Sequence, residues 1–244
     1  MRRCSWPFCR ATATFWFIAA VVTFVVPTVY AALPSAAQLK AAEALARTGD
    51  WYVRWDEETG SPSSIEEQRL SVGAAYRRPR PFAAKSVATS FISSYAGLFP
   101  LRQGRDSLAI VQISDPPSYH KISTVRTEQI YMGLPVEGGG YTVSVSPDGK
   151  VLALNGRFYG GIELVPSPTI DAEEAARIAR HEVGAGADSV LRPVRLAVTR
   201  PEGQDHLVWA ATVPEDPLHV WIVQVDAHDG KVIRRTNRVI VDPR

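Results

Sequence analysis

The chain has 244 residues, of which 45% are hydrophobic, so it can bury a sizeable core as one large domain or as two small ones. Its first segment contains Arg2, Arg3 and Arg10 and no acidic residue; without these three, the 27 Lys and Arg side chains fall to 24, against 25 Asp and Glu. The rest of the chain is nearly neutral with scattered charges, which argues against the basic patch that a nucleic-acid partner needs.

Residues 1–31 have the layout of a cleaved secretory signal. Basic residues come first, residues 15–26 are mainly apolar, and Ala31 closes the segment where a signal peptidase cuts. An uncleaved anchor is the alternative and would be the only contact with a membrane, but the apolar run is short for a bilayer. Cleavage would remove Cys4 and Cys9, leaving the exported chain, in the periplasm or the medium, without disulfide or thiol chemistry.

A short helix and a strand follow. Residues 35–47 are Ala-rich, begin at Ser35 as a cap and stop before Gly49, which predicts a helix within an N-terminal segment at residues 32–50. Residues 51–55 alternate as a strand with the two Trp residues and Val53 on one face, and residues 58–62 form the turn after it.

An amphipathic helix comes next. Pro81 suits its first position, and apolar residues then recur at three- and four-residue steps before Pro100. This stripe comprises Ala84, Val87, Phe91, Tyr95 and Leu98. Residues 108–114 and 123–131 predict two strands, joined through Pro116-Pro117.

Residues 130–156 predict an extended segment, a glycine-rich bend and a hairpin. Asp148-Gly149 separates alternating apolar runs, and both residues are expected at positive φ, as in a type I′ turn. The first half of the chain is thus one helix followed by about four antiparallel strands.

The pattern restarts after the linker Pro166-Ser167-Pro168. Asp171 and Glu174 have the spacing of a capping box, with Ile170 as a staple, and Ala175, Ile178, Ala179 and Val183 form an apolar stripe. Strands are predicted at residues 190–198, 206–213, 218–226 and 231–240. Residues 229–232 repeat the Asp-Gly-Lys-Val of residues 148–151, which indicates a duplicated unit. Helix plus antiparallel sheet, twice, predicts an α+β architecture.

Two strings support a resemblance to a known family. They are Q-x-Y-x-G-x-P-V-x-G-G at residues 129–139 and V-D-A-x-x-G-K-V at residues 225–232. The order of these strings resembles the propeptide of secreted thermolysin-like (fungalysin/thermolysin) metallopeptidases, in which an FTP module precedes a PepSY module. The resemblance covers roughly residues 51–238. Its motif residues are Gly133, Pro135, Val136, Gly138, Gly139, Asp226 and Gly230.

The resemblance implies two consecutive cystatin-like units, each a helix on an antiparallel sheet: an FTP-like unit at residues 51–165 and a PepSY-like unit with a C-terminal tail at residues 166–244. It implies a non-catalytic protein that inhibits a thermolysin-type metallopeptidase, assists its folding, or does both. Asn237, Arg238, Val239, Ile240 and Val241 are the candidate tail residues that contact the protease, because the family's propeptide continues into the enzyme there.

The chain ends at Arg244, where a full proenzyme would continue into a catalytic domain. One alternative is therefore the prosegment of a metallopeptidase whose catalytic part is absent from this chain. Another is an envelope module that binds a peptide or ligand unrelated to proteases. In either protease reading, an exposed sheet edge is a surface to which a partner can add a strand.

No enzyme, metal or cofactor is predicted. His181-Glu182 begins like a zinc helix, but position 185 is Ala where the second His would stand, so these residues are expected in a solvated last helical turn. His120, His206, His219 and His228 have no paired spacing, and Asp148, Asp226 and Asp229 suit turns. The three glycines from Gly138 lack the helix and Lys of a phosphate loop and predict a bend where strands cross closely.

Overall fold

A computed structural model describes residues 32–68, 83–114, 122–186, 189, 194–216 and 219–239. The predicted signal at residues 1–31 lies outside them, as do Pro81, Pro116-Pro117, His120 and the tail residues Ile240 and Val241. None of the helices in the described ranges is both long enough and apolar enough to cross a membrane.

Helix α1 (Ala36–Ala46) begins where the sequence predicts. Ser35 accepts from the Gln38 N–H at 3.3 Å and Gln38 Oε1 accepts from the Ser35 N–H at 2.8 Å, so the two residues form a reciprocal capping box. The Gln38 amide is buried and also donates to the carbonyls of Gly60 and Leu98 at 2.9 and 3.1 Å. One side chain thus both starts the helix and attaches it to the body of the protein.

Strand β1 (Trp51–Trp55) matches the prediction, and its Trp51, Val53 and Trp55 pack on the core. It forms a hairpin with β2 (Pro62–Glu67), a strand that the sequence did not indicate. Pro-Ser-Ser-Ile-Glu-Glu contains only one large apolar residue, Ile65, so it lacks the alternation that predicts a strand. The segment forms a strand because of tertiary packing, in which Ile65 is fully buried.

Helix α2 (Ala84–Ser94) begins three residues later than predicted. Ala83 has φ −86° and ψ 113°, which is extended backbone, so the predicted start at position 81 is wrong. The α-helix also ends early: Tyr95 caps it, and Leu98 lies in a short 3-10 turn at Ala96–Leu98.

Five strands complete the first sheet. They are β3 (Asp106–Ser114), β4 (Ser123–Tyr131), β5 (Leu134–Pro135), β6 (Gly140–Val145) and β7 (Val151–Arg157). The sheet is antiparallel, in the order β1-β2-β7-β6-β4-β3, with β5 paired to β4. It has more strands than expected because the β1–β2 hairpin joins the outer edge of β7. Helix α2 buries Ala88 and Phe91 in a core shared with Val125, Val143 and Leu154.

The hairpin between β6 and β7 has a different turn from the one expected. Only Gly149 has positive φ, at 81°, so the type I′ assignment for Asp148-Gly149 is wrong. Gly149 N–H donates to Ser146 O at 3.0 Å, and Ser146 N–H donates to Lys150 O at 2.8 Å. This is a three-residue loop with one left-handed glycine, the second most common hairpin form.

Helix α3 (Ala172–Val183) starts at the predicted cap and ends at Gly184, whose φ of 68° is left-handed. The capping box is half formed: Asp171 accepts from the Glu174 N–H at 2.8 Å, whereas the Glu174 carboxylate pairs with Arg177 at 2.7 Å. His181 and Glu182 lie exposed in the last turn.

The second sheet comprises β8 (Arg195–Thr199), β9 (His206–Pro214), β10 (His219–Asp226) and β11 (Val232–Val239), in the antiparallel order β11-β10-β9-β8. The first of these strands begins at Arg195, and residues 190–193 of the predicted strand lie outside the described residues. Helix α3 covers one face, where Ala175 and Ala179 pack on Ala211, Val223 and Val225. The prediction of an α+β fold with antiparallel sheets is confirmed. Helix α2 is followed by the meander β3-β4-β6-β7, with the two-residue β5 off its path, and helix α3 by the meander β8-β9-β10-β11.

Candidate partner-binding site

The glycine string begins with a tight turn between β4 and β5. Met132 has φ 47° and Gly133 has φ 85°, so the positive-φ pair of a type I′ turn stands here and not at Asp148-Gly149. Positive φ is uncommon for a residue with a Cβ, and the Met132 side chain is 46% exposed. The turn sends Leu134 and Pro135 back along β4.

The next glycines allow the chain to cross β4 at very short range. A Cβ on Gly139 would lie 2.6 Å from Gln129 Oε1, and one on Gly140, where φ is 133°, would lie 2.2 Å from Thr127 O. Neither position has space for a side chain. Gly138 also has positive φ, at 76°. Together these glycines let the chain pass from β5 into β6 in close contact with β4.

Gln129 fastens this crossing. Its side chain is fully buried; Nε2 donates to Tyr159 O at 2.8 Å and Oε1 accepts from Tyr159 N–H at 2.9 Å. Its backbone also takes part, because its N–H donates to Gly139 O at 3.0 Å. Gln129 stands first in the family-like string, yet its side-chain role could not be read from the sequence, since the partner lies 30 residues away.

The middle of the string joins the first sheet to the second. Val136 is buried and forms a parallel bridge with Val198 of β8, and Glu137 N–H donates to Val198 O at 2.8 Å. Arg195 of β8 reaches back with ion pairs to Glu137 at 2.7 Å and Glu128 at 3.5 Å. The string therefore shapes one sheet and fixes the other beside it.

The second family-like string forms the β10–β11 turn. Asp226 Oδ1 accepts from the His228 N–H at 2.8 Å, and Oδ2 lies 3.0 Å from His206 Nδ1. Gly230 has φ 75°, and its N–H donates to Asp226 O at 3.0 Å. This loop is one residue longer than its counterpart at Ser146–Lys150. In both loops a Lys pairs with the turn Asp: Lys231 lies 2.6 Å from Asp229, and Lys150 lies 3.4 Å from Asp148.

Charged partners shift the pKa values of several surface groups. The hydrogen bond from Lys231 lowers the pKa of Asp229 and raises that of Lys231. A hydrogen bond to Asp216 likewise raises the pKa of His219. Neither His219 nor His206 is hydrogen-bonded to a Ser, Thr or Cys among the described residues. In the same ranges, no three His, Cys, Asp or Glu side chains are grouped as a metal site would require.

Strand β11 carries the described part of the candidate tail. Its residues Arg234 to Arg238 are all exposed, which includes Asn237 and Arg238 of the candidate set. Val239 is its last residue and pairs with His219 of β10. Within the described residues, β11 pairs with β10 alone, so its outer edge is open.

The Arg235 side chain attaches β11 to its neighbours on the sheet face that α3 covers. The Arg235 guanidinium stacks over the Trp221 ring, 4.6 Å from its centroid, and approaches Glu182 of α3 at 3.5 Å. Trp221 Nε1 donates to Glu215 at 2.7 Å. These contacts hold β11 against its own sheet and leave the opposite edge for another chain.

Comparison with known proteins identifies the first string. Residues 121–158, which contain it, match the family described as Fungalysin/Thermolysin Propeptide Motif. A bacillolysin of Brevibacillus brevis is 28% identical over 125 residues, covering 46% of this chain and 23% of the relative. A thermolysin of Alicyclobacillus acidocaldarius subsp. acidocaldarius is 24% identical over 205 residues, covering 76% of this chain.

The similarity to these enzymes is partial, because the chain spans only 34% of the thermolysin's length. Among solved structures, the Bacillus megaterium YpeB C-terminal domain aligns at a TM-score of 0.43 and 14% identity, covering 77% of this chain and 76% of that one. This score is too low to establish a shared fold. The chain carries a thermolysin-family propeptide-like region, and its glycine string lies inside that region.

Proposed function

We propose that this chain is an exported, non-catalytic, propeptide-like protein that binds a thermolysin-type metallopeptidase, and that binding inhibits the peptidase, assists its folding, or does both. The observation that carries the proposal is the propeptide-motif match at residues 121–158. It falls on the segment that fixes both sheets, so the resemblance involves the framework of the molecule rather than a peripheral loop.

The proposal includes a domain organisation. A signal occupies residues 1–31 and a helical segment residues 32–50; an FTP-like unit follows at residues 51–165 and a PepSY-like unit with its tail at residues 166–244. The repeated order of a helix followed by a four-stranded meander supports two cystatin-like units. Val136 and Val198 then form the junction between the units.

The proposed contact with the peptidase is the tail, residues 237–241. Its described part ends strand β11, in which Arg234 to Arg238 are exposed and whose outer edge is open within the described residues. A segment that extends from such a strand can enter a substrate cleft as an added strand, where main-chain hydrogen bonds supply affinity. The described part of the tail is therefore held on the sheet by its pairing with β10.

A second candidate is the prosegment of a metallopeptidase. It is favoured by the partial coverage of the thermolysin relative, of which this chain matches 34%. The reading frame after Arg244 separates the two candidates: a downstream zinc-helix motif makes the chain part of an enzyme precursor, and a stop codon makes it an independent partner. The proposed interaction surface is the same in both.

The direct test titrates the purified full chain into thermolysin and follows hydrolysis of a fluorogenic peptide, with a serine peptidase as the control. A parallel assay refolds denatured thermolysin with and without the chain. We expect slowed hydrolysis or an increased refolding yield at micromolar concentrations of the chain. Unchanged hydrolysis together with an unchanged yield would reject both roles.

A matched pair of variants locates the contact. Asn237→Asp puts a charge on the tail, and burial of an unpaired charge in a cleft costs several kcal/mol. Gln112→Glu makes the same chemical change on the exposed strand β3, far along the chain from the tail. Inhibition should weaken more than about tenfold for Asn237→Asp, since ~1.4 kcal/mol is a factor of ten, and stay constant for Gln112→Glu. Equal inhibition by both variants would place the contact elsewhere.

A further inference from the structure

The outer edge of β11 is a place where the second sheet can be extended. Within the described ranges this strand has one neighbour, β10, so alternate N–H and C=O groups of residues 232–239 face away from the sheet. Such a row of unpaired backbone groups is a template for another strand.

The first sheet shows how the corresponding edge is filled. Strand β7 is the last strand of the meander after α2, as β11 is the last strand of the meander after α3. The outer edge of β7 is paired with β2, in the register Ser64 with Asn155, Ile65 with Leu154 and Glu66 with Ala153. The occupying strand is acidic, because it ends in Glu66-Glu67. No described strand takes the equivalent place at β11.

The charges on β11 indicate which strand fits. Arg234 and Arg238 stand opposite Gln224 and Val220 of β10, on the sheet face away from α3, and are four residues apart. Both are exposed, and no carboxylate of the described residues lies within ion-pair distance of either. Arg235 points to the other face, where Trp221 and Glu182 hold it. Within the described part of the chain, one face of the edge thus presents two guanidinium groups without an ion-pair partner.

The same charges disfavour pairing with a second copy of this chain. Two β11 strands side by side would bring their arginines into proximity, and like charges across strands are destabilising. Exposed charge on an edge strand is also a means by which proteins prevent self-association. A partner strand with carboxylates would turn this repulsion into attraction, and a planar guanidinium is suited to grip a carboxylate with two hydrogen bonds.

We propose that the outer edge of β11 accepts an added β-strand from a partner protein, and that this strand carries Asp or Glu side chains four residues apart, facing Arg234 and Arg238. The partner's acidic strand does for the second sheet what β2 does for the first. This inference goes beyond the proposed function, since it specifies the chemistry of the partner strand and does not require the partner to be a peptidase.

The test uses the full chain and three synthetic strand-forming peptides of alternating Thr and Val. One carries Glu at two positions four residues apart, the second carries Lys at those positions, and the third is the Glu peptide with a central Pro. We expect the Glu peptide to bind and the other two to bind at least tenfold more weakly. The Lys peptide places like charges opposite the arginines, and the Pro peptide lacks an N–H for the strand ladder. Binding should slow amide hydrogen exchange in residues 232–239 and weaken with salt.

Charge reversal provides the matched variants. Arg234→Glu/Arg238→Glu should weaken binding of the Glu peptide more than tenfold and strengthen binding of the Lys peptide. The control, Arg47→Glu/Arg54→Glu, changes two exposed arginines at the end of α1 and on the edge strand β1 and should keep the Glu peptide. Unchanged melting temperatures show that both variants fold.

Three results would overturn the proposal: no binding of the Glu peptide, equal binding of the Glu and Pro peptides, or a dimer of the chain whose β11 amides are protected from exchange. Thermolysin inhibition and refolding yield are measured with the parent chain and with Arg234→Glu alone, because Arg238 also belongs to the proposed tail contact. Lost peptide binding with intact inhibition or refolding assistance leaves the proposed function in place. Intact peptide binding without inhibition and without a gain in refolding yield rejects only that function.

Discussion

Replacing Gln129 with Leu tests whether one side chain holds the crossing of the first sheet together. Leu lacks the amide but is similar in size, so the change removes two hydrogen bonds to the backbone of Tyr159 with little loss of packing. The Tyr159 N–H and C=O are then left without these partners beside a fully buried side chain.

The magnitude follows from the two orphaned groups. Each backbone group left unsatisfied costs roughly 1–3 kcal/mol. Tyr159 is only half-buried, so partial access of water puts the sum near the lower end, at about 3 kcal/mol. Total stabilities of domains are roughly 5–15 kcal/mol, so this loss is a large fraction of the whole.

Urea unfolding of the full chain measures the loss, and Gln112→Leu on the exposed part of β3 is the control. The control should change the free energy of unfolding by less than about 0.5 kcal/mol, as surface substitutions do. A Gln129→Leu loss no larger than that of the control would refute the view that the Gln129 amide fastens the crossing.

Three further predictions concern strain, an orphan acceptor and pH. Gly140→Ala should cost about 3 kcal/mol, because its Cβ would lie 2.2 Å from a carbonyl oxygen. Gly104→Ala is the control: Gly104 is also at positive φ, but a Cβ there would have nothing within 4 Å, so the change should cost about 1 kcal/mol. Equal losses in urea unfolding would refute a steric origin. Gln224→Met should stabilise by about 1 kcal/mol, or roughly 2–4 °C in melting temperature, because Gln224 Oε1 is buried without a hydrogen-bond partner among the described residues; a lower melting temperature would contradict this. Burial raises the pKa of Tyr141 above its usual value, so the folded phenol keeps its proton where the unfolded one releases it. Stability should therefore fall as pH rises above about 10, and the fall should be shallower in Tyr141→Phe than in the parent chain when urea midpoints are compared across that range.

Much of the fold follows from local pattern. Strand β4 and strand β1 were predicted at their observed bounds because alternation over five or nine residues is a strong signal. Helix α3 was predicted from its cap, stripe and terminal glycine. Strand β2 was missed because its one large apolar residue, Ile65, gives no alternation, and the early start assigned to α2 was wrong because a favourable first-turn Pro does not force a helix to begin there.

The candidate site divides in the same way. The two family-like strings could be picked out from the sequence, since their Gly and Pro residues are positions where the backbone has few choices. What those residues contact could not: Gln129 meets Tyr159, and Val136 meets Val198, across long separations in the chain. The left-handed pair at Met132-Gly133 was also unexpected, because Met gives no turn signal and only the return of β5 onto β4 requires it.

The sequence by itself determined the element types, the two helix-then-strands segments and the propeptide-like strings, because periodicity and turn chemistry are local properties. Only the tertiary structure decided that β2 fills the outer edge of β7 while the edge of β11 stays open within the described residues. Strand pairing joins residues far apart in the chain, and its outcome depends on which backbone groups remain unpaired after the core has formed. The open edge of β11, with its exposed arginines, follows from this long-range pairing and not from local sequence.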